Sequence, residues 1–183
     1  MSLLDGLRRR LARAPEAVRA ALDDGEQALA WGALTRDEGW LVATDRGLRR
    51  FGADGVVDGP LPWHEIASAR WTAAGEGGTF RVVPLAEVEP GVQVRLPEQR
   101  HALADAGELP AVVRRRVDQT VVASQRSPLP GRGGVLLVAR RIPGQAGREW
   151  TVVFDDDADR ADPAARETAR QKLAELVAAD QPD

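Results

Sequence analysis

Trp40-Leu41-Val42-Ala43-Thr44-Asp45-Arg46-Gly47-Leu48-Arg49-Arg50-Phe51, followed by Leu61-Pro62-Trp63-His64-Glu65-Ile66, is the stretch on which the fold turns. Trp40, Val42 and Thr44 alternate with Leu41 and Ala43. Both faces of the segment are therefore largely apolar, and the strand it predicts lies inside a sheet rather than at its edge. Asp45-Arg46-Gly47 then reverses the chain, because Asp tolerates turn geometry and Gly supplies positive φ. Gly52-Ala53-Asp54-Gly55 predicts a second turn. Pro60 and Pro62 hold the next residues extended, so a further strand is expected from Ile66.

Outward from this hairpin, Ala28 to Leu34 reads as a preceding strand, joined to Trp40 through Thr35-Arg36-Asp37-Glu38-Gly39. Ala67, Ala69 and Trp71 alternate with Ser68 and Arg70, and Gly75-Glu76-Gly77-Gly78 reads as a flexible loop. Two more strands follow, around Phe80 to Val83 and Val92 to Leu96, with Pro84 and Pro90-Gly91 marking the bend between them. Leu109, Val112, Val113 and Val117 recur at helical spacing with Pro110 at the first helical position, predicting a helix over 109–118. Strands are then expected over 120–124, 134–142 and 149–154, separated by two segments rich in Pro and Gly.

Asp162 before Pro163 is a helix start, and Ala165, Ala169, Leu173 and Leu176 line one face of the helix that follows. At the other end, Leu3, Leu4, Leu7 and Leu11 repeat at helical spacing with Arg8, Arg9, Arg10 and Arg13 around them. Pro15 interrupts this pattern, and Glu16 to Leu22 continues it until Asp23-Asp24-Gly25. The amphipathic segment suits packing on the domain, or contact with an anionic membrane surface.

An apolar strand ending in Thr-Asp-Arg, a short second strand, a glycine-rich turn and a Pro-Trp-x-x-Ile step together resemble bacterial pleckstrin-homology-like (PH-like) and GRAM-like domains. The resemblance covers roughly residues 26 to 118. It implies a split barrel whose open end is capped by a helix, either the middle one or the C-terminal one. In phosphoinositide-binding members of that superfamily, basic residues line the loop between the first two strands. Here that loop is Thr35-Arg36-Asp37-Glu38, one cation beside two anions, so the resemblance implies a scaffold and not an inositol-phosphate site.

The chain has 183 residues, a formal charge of −3 and no cysteine. The charge balance is not that of a nucleic-acid binder, and the absence of cysteine excludes disulfides, thiolate nucleophiles and cysteine metal sites. A reducing cytoplasm is the simplest compartment. Arginine supplies nearly all the basic residues, with Lys172 the single lysine. This composition is similar to that of actinobacterial proteins and carries no function with it. Trp31, Trp40, Trp63, Trp71 and Trp150 fall in or beside predicted strands and are expected in the core, with Trp40 and Trp63 sharing one.

His64 and His101 have no companion at metal-ligand spacing, and His101 falls in a predicted loop. On a strand His64 and Glu65 point to opposite faces, which speaks against a catalytic pair. Asp155 to Asp159 is acidic but lacks the glycine and late Glu of a calcium loop. Arg114-Arg115-Arg116 fans about 200° around its helix, so at most two of the three share a surface. The run either grips phosphate or an acidic partner, or is a solvated face.

The expected architecture is α+β and mainly β. It comprises an N-terminal amphipathic segment (1–24), a PH-like barrel with its helix (25–118), and a β meander with a C-terminal helix (119–183) packed with the barrel. The expected role is a non-enzymatic scaffold for protein or membrane-surface interaction, without cofactor, metal or nucleic acid, cytoplasmic and in weak membrane contact at most. Arg8, Arg9, Arg10, Arg114, Arg115 and Arg116 are the candidate binding residues. The competing class is a small-molecule-binding or enzymatic split barrel.

Overall fold

The computed structural model describes residues 14–35, 39–52, 55–56 and 59–180. Arg8, Arg9, Arg10 and the leucine stripe beside them lie outside the described residues. The described part is mainly β. Its strands are β1 (Ala28–Leu34), β2 (Trp40–Thr44), β3 (Gly47–Gly52), β4 (Gly55–Val56), β5 (Leu61–Pro62), β6 (Ile66–Ala74), β7 (Gly77–Glu89), β8 (Val92–Arg95), β9 (Gln99–Asp105), β10 (Val121–Pro128), β11 (Gly134–Arg140) and β12 (Glu149–Phe154). The helices are α1 (Glu16–Ala21), α2 (Leu109–Thr120) and α3 (Pro163–Ala179).

The hydrogen-bonded order runs β10-β11-β12-β8-β7-β9-β1-β2-β3-β4, with β5 beside β3 and β6 beside β7. The expected barrel is not closed by hydrogen bonds. β5 and β6 are joined through the 3-10 turn Trp63–Glu65, and no ladder pairs them among the described residues. β2 lies between β1 and β3, as its two apolar faces require. Leu41 and Ala43 enter one core, while Val42 packs against Val18 and Phe51 on the other side, under α1.

The hairpin turn works differently from the expectation. Thr44 Oγ1 accepts from the N–H groups of Arg46 and Gly47, each at 3.1 Å. Gly47 is absent from the positive-φ glycines. It is needed for proximity, because a Cβ there would sit 2.2 Å from the carbonyl oxygen of Leu61 on β5. The tryptophans also divide. Trp63 is buried in the first core, whereas Trp40 is half-buried in the cluster beneath α1, so the two do not share a core. Trp31, Trp71 and Trp150 are half-buried too.

β7 is the longest strand and connects the two halves. Its first part pairs with β6 and β9, and from Leu85 onward it pairs with β8. Pro84 does not bend the chain out of the sheet. It sits at the last β6–β7 pair, opposite Ile66, where a missing N–H does not interrupt a continuing ladder. Gly77 and Gly78, expected in a loop, begin this strand, and the turn before it is carried by Gly75 in the left-handed region. β9 replaces the loop predicted around His101. It places His101 on a strand opposite Phe80 and links β7 to β1. Only Leu103 of its seven residues is buried, so alternation gives little signal there.

The first core gathers Trp63, Ile66, Phe80, Val82 and Leu103 around Leu109, Val112, Val113 and Val117 of α2. The middle helix is therefore the one that covers the first sheet. α3 packs instead on β12, where Ala165, Ala169, Leu173 and Leu176 meet Leu137, Val152 and Phe154. Asp162 caps α3 by accepting from the N–H of Ala164 at 3.0 Å. β12 runs parallel to β8 at Val152 and Val153, so the C-terminal meander continues the ladder of the first 118 residues.

Candidate functional site

Two of the recesses among the described residues set polar groups beside an open strand edge or a buried charge. The first follows the outer side of β6. This strand pairs only with β7, so alternate N–H and C=O groups on its other side have no strand partner among the described residues. Ala67, Ser68, Ala69, Arg70, Trp71 and Thr72 line the recess consecutively, which identifies a groove along a strand edge rather than above a sheet face. The opposite wall is α2, through Pro110, Arg114, Val117 and Asp118 at helical spacing. The groove measures about 740 Å³.

Its charge is set by arginines. Arg70 and Arg81 are direct cross-strand partners, and Arg81 faces Arg100 on β9. Glu98 lies 3.7 Å from Arg81 and 2.8 Å from Arg100, one acid among three cations. Like charges directly opposite one another in a sheet repel, so this row gains from an acidic neighbour. Of the sequence candidates, Arg114 reaches the groove and lies 3.7 Å from Asp118 one turn on. Arg115 is exposed and Arg116 half-exposed, and neither lines this groove. Spacing alone did not single out Arg70, Arg81 and Arg100, because their proximity comes from strand register.

The second recess, about 480 Å³, lies between the 3-10 turn and the C-terminal sheet. His64 and Glu65 approach there, Nε2 to Oε1 at 3.9 Å, because the 3-10 turn replaces the strand on which they were expected to diverge. Across from them stand Arg140, Glu149, Thr151 and Gln93. The Thr151 hydroxyl donates to Gln93 Oε1 at 3.2 Å. Burial holds His64 below the ordinary imidazole value of 6.5, with Glu65 and Glu149 opposing and Arg140 reinforcing the shift.

Other charged groups hold structure. Arg49, buried on β3, pairs with buried Glu26 and, at 2.9 Å, with Asp23, which ties the turn after α1 to the sheet. The acidic loop is neutralised by Arg126 on Asp155 and Arg95 on Asp156, each at 3.1 Å. Among the described residues no group of three or more His, Asp or Glu is arranged to hold a metal ion, and no helix is long and apolar enough to cross a membrane. No protein-family model, no curated protein and no solved structure matches the chain.

Proposed function

We propose that this protein is a non-catalytic interaction module, a PH-like scaffold that recognises an extended, acidic segment of a partner protein by strand addition to β6. The observation that carries this reading is the groove itself, in which a nine-residue strand has one side unpaired among the described residues, beside a helix that forms the second wall. Main-chain hydrogen bonds to an edge supply affinity in such recognition, and alternate side chains supply specificity. The small side chains of Ala67 and Ala69 leave room for an incoming strand, and Trp71 offers an aromatic contact. Arg70, Arg81 and Arg114 favour a partner strand carrying Asp or Glu. We place this role in the cytoplasm, with membrane contact as the competing outcome.

The test uses isotope-labelled protein and extended acidic peptides of matched length, with lysine-bearing versions as controls. Amide shifts confined to residues 67–72 and 110–118, seen with acidic peptides and weakened by salt, are expected. Ala111→Trp, at an exposed position on the groove-facing side of α2, should block binding while leaving the melting temperature in place. Absence of peptide binding together with tight flotation on anionic vesicles would replace this reading with a membrane-surface role.

A further inference from the structure

Arg140, at the end of β11, is a buried charged residue. It is 7% exposed, donates through one Nη to Thr120 Oγ1 at 2.8 Å, and has a buried Nε without a hydrogen-bond partner. Among the described residues it forms no ion pair within 4 Å, although Glu149 is its cross-strand partner. Burial disfavours its charge, yet a guanidinium does not release its proton at physiological pH. A buried charge of this kind calls for an anionic or strongly accepting group.

The same cleft contains the means to select what that group belongs to. His64 has a buried Nδ1 without a partner, and Gln93 and Thr151 are both more than nine-tenths buried. Glu65 and Glu149 add negative charge to the lining, which disfavours a simple anion. Leu61, Leu85, Leu96 and Ile142 complete the wall with aliphatic surface. A volume of about 480 Å³ is within the range of sites for small metabolites.

We propose that this cleft binds a small zwitterion with an aliphatic body, its carboxylate on Arg140 and its ammonium group toward Glu65 and Glu149. The site is separate from the β6 groove and does not depend on it. One cation beside two carboxylates matches a ligand bearing both charges better than one bearing either alone, and the aliphatic wall matches an amino-acid side chain.

L-leucine, L-leucinamide and 4-methylpentanoate form a matched probe set, since the second lacks the carboxylate and the third lacks the ammonium group. Titrations of the full chain, followed by amide shifts of β11, β12 and the 3-10 turn, should show saturable binding of leucine only. Glu149→Gln should weaken leucine by about tenfold, the loss of one charge-assisted hydrogen bond. Arg140→Lys, which keeps the charge but loses the planar fork, should weaken it further. The wild-type titrations stand even where a variant fails to fold. Equal response to all three probes, or no saturable response to leucine at millimolar concentration, overturns the proposal and leaves Arg140 as a structural partner of Glu149 across the ladder.

Discussion

The cores around α2 and beneath α3 are held by different physics. Around α2, large side chains such as Trp63, Phe80, Ile66, Leu103 and Leu109 exclude water from a continuous apolar volume. Beneath α3, the helix presents Ala165 and Ala169 to the sheet, and charged groups pin its length. Arg166 and Arg170 meet Glu89 at the end of β7, the latter at 3.0 Å, and Asp180 at the last turn is gripped by Arg148 and accepts from Trp150 Nε1 at 3.1 Å. Small residues let a helix lie close to a sheet but bury less apolar area per residue. The first region should therefore respond chiefly to cavities, and the second to crowding and to salt.

The largest expected effect is in the first core. Trp63→Ala should destabilise by about 3–5 kcal/mol in chemical denaturation, whereas Trp40→Ala, half-exposed beneath α1, should cost roughly 1–2 kcal/mol. Equal losses would mean that the clusters on the two faces of β2 act as one. In the second core the sensitive direction is reversed. Ala169→Leu is expected to cost about 1–3 kcal/mol by forcing α3 away from β12, read as a lower melting temperature. A neutral result would show a loosely packed helix.

Acid provides a third comparison, because both histidines belong to the first region. His64 lies below 6.5 through burial first, with Glu65 and Glu149 raising it and Arg140 lowering it; His101 lies below 6.5 through burial first and then Arg50. The unfolded chain binds protons that the folded chain refuses, so this contribution is complete above the unfolded value and is lost as pH falls through it toward the depressed folded values. The denaturation midpoint should decline as pH falls below about 6.5, and the decline should flatten in the His64→Asn, His101→Asn double variant. An unchanged slope would place the acid sensitivity among the carboxylates instead.

The smallest effect is expected from Glu89→Gln. Glu89 titrates below its ordinary value because Arg170 hydrogen-bonds it, with Arg166 adding charge. The pairs are solvent-facing, so global stability should hardly move. Faster hydrogen exchange confined to α3, and loss of its salt dependence, are the expected signatures. Faster exchange spread through β1, β2 and β9 would show that the two regions open together.

Local chemistry is legible along this sequence wherever a residue's role depends on its near neighbours. β1, β2 and β12, the start of β6 at Ile66, the Pro110 start of α2 and the Asp162 cap of α3 are all readable from alternation, periodicity and capping residues. α1 beyond Pro15 is readable in the same way. β9 is not, because its burial is restricted to Leu103 and its place between β7 and β1 depends on pairing with residues far away in sequence.

The same limit governs the candidate sites. The sequence pointed to Arg114, Arg115 and Arg116 because they are adjacent, and only Arg114 faces the β6 groove. Arg70, Arg81 and Arg100 become neighbours through register across three strands, and Arg140 meets Thr120 and the His64 turn only once β11 is laid beside them. Element type follows from short-range sterics and burial pattern, which one segment carries in itself. Among the described residues, which strand edge has no ladder partner, which arginine is buried without an ion pair and which helix covers the first sheet follow from contacts between distant segments, and those are decided by tertiary packing.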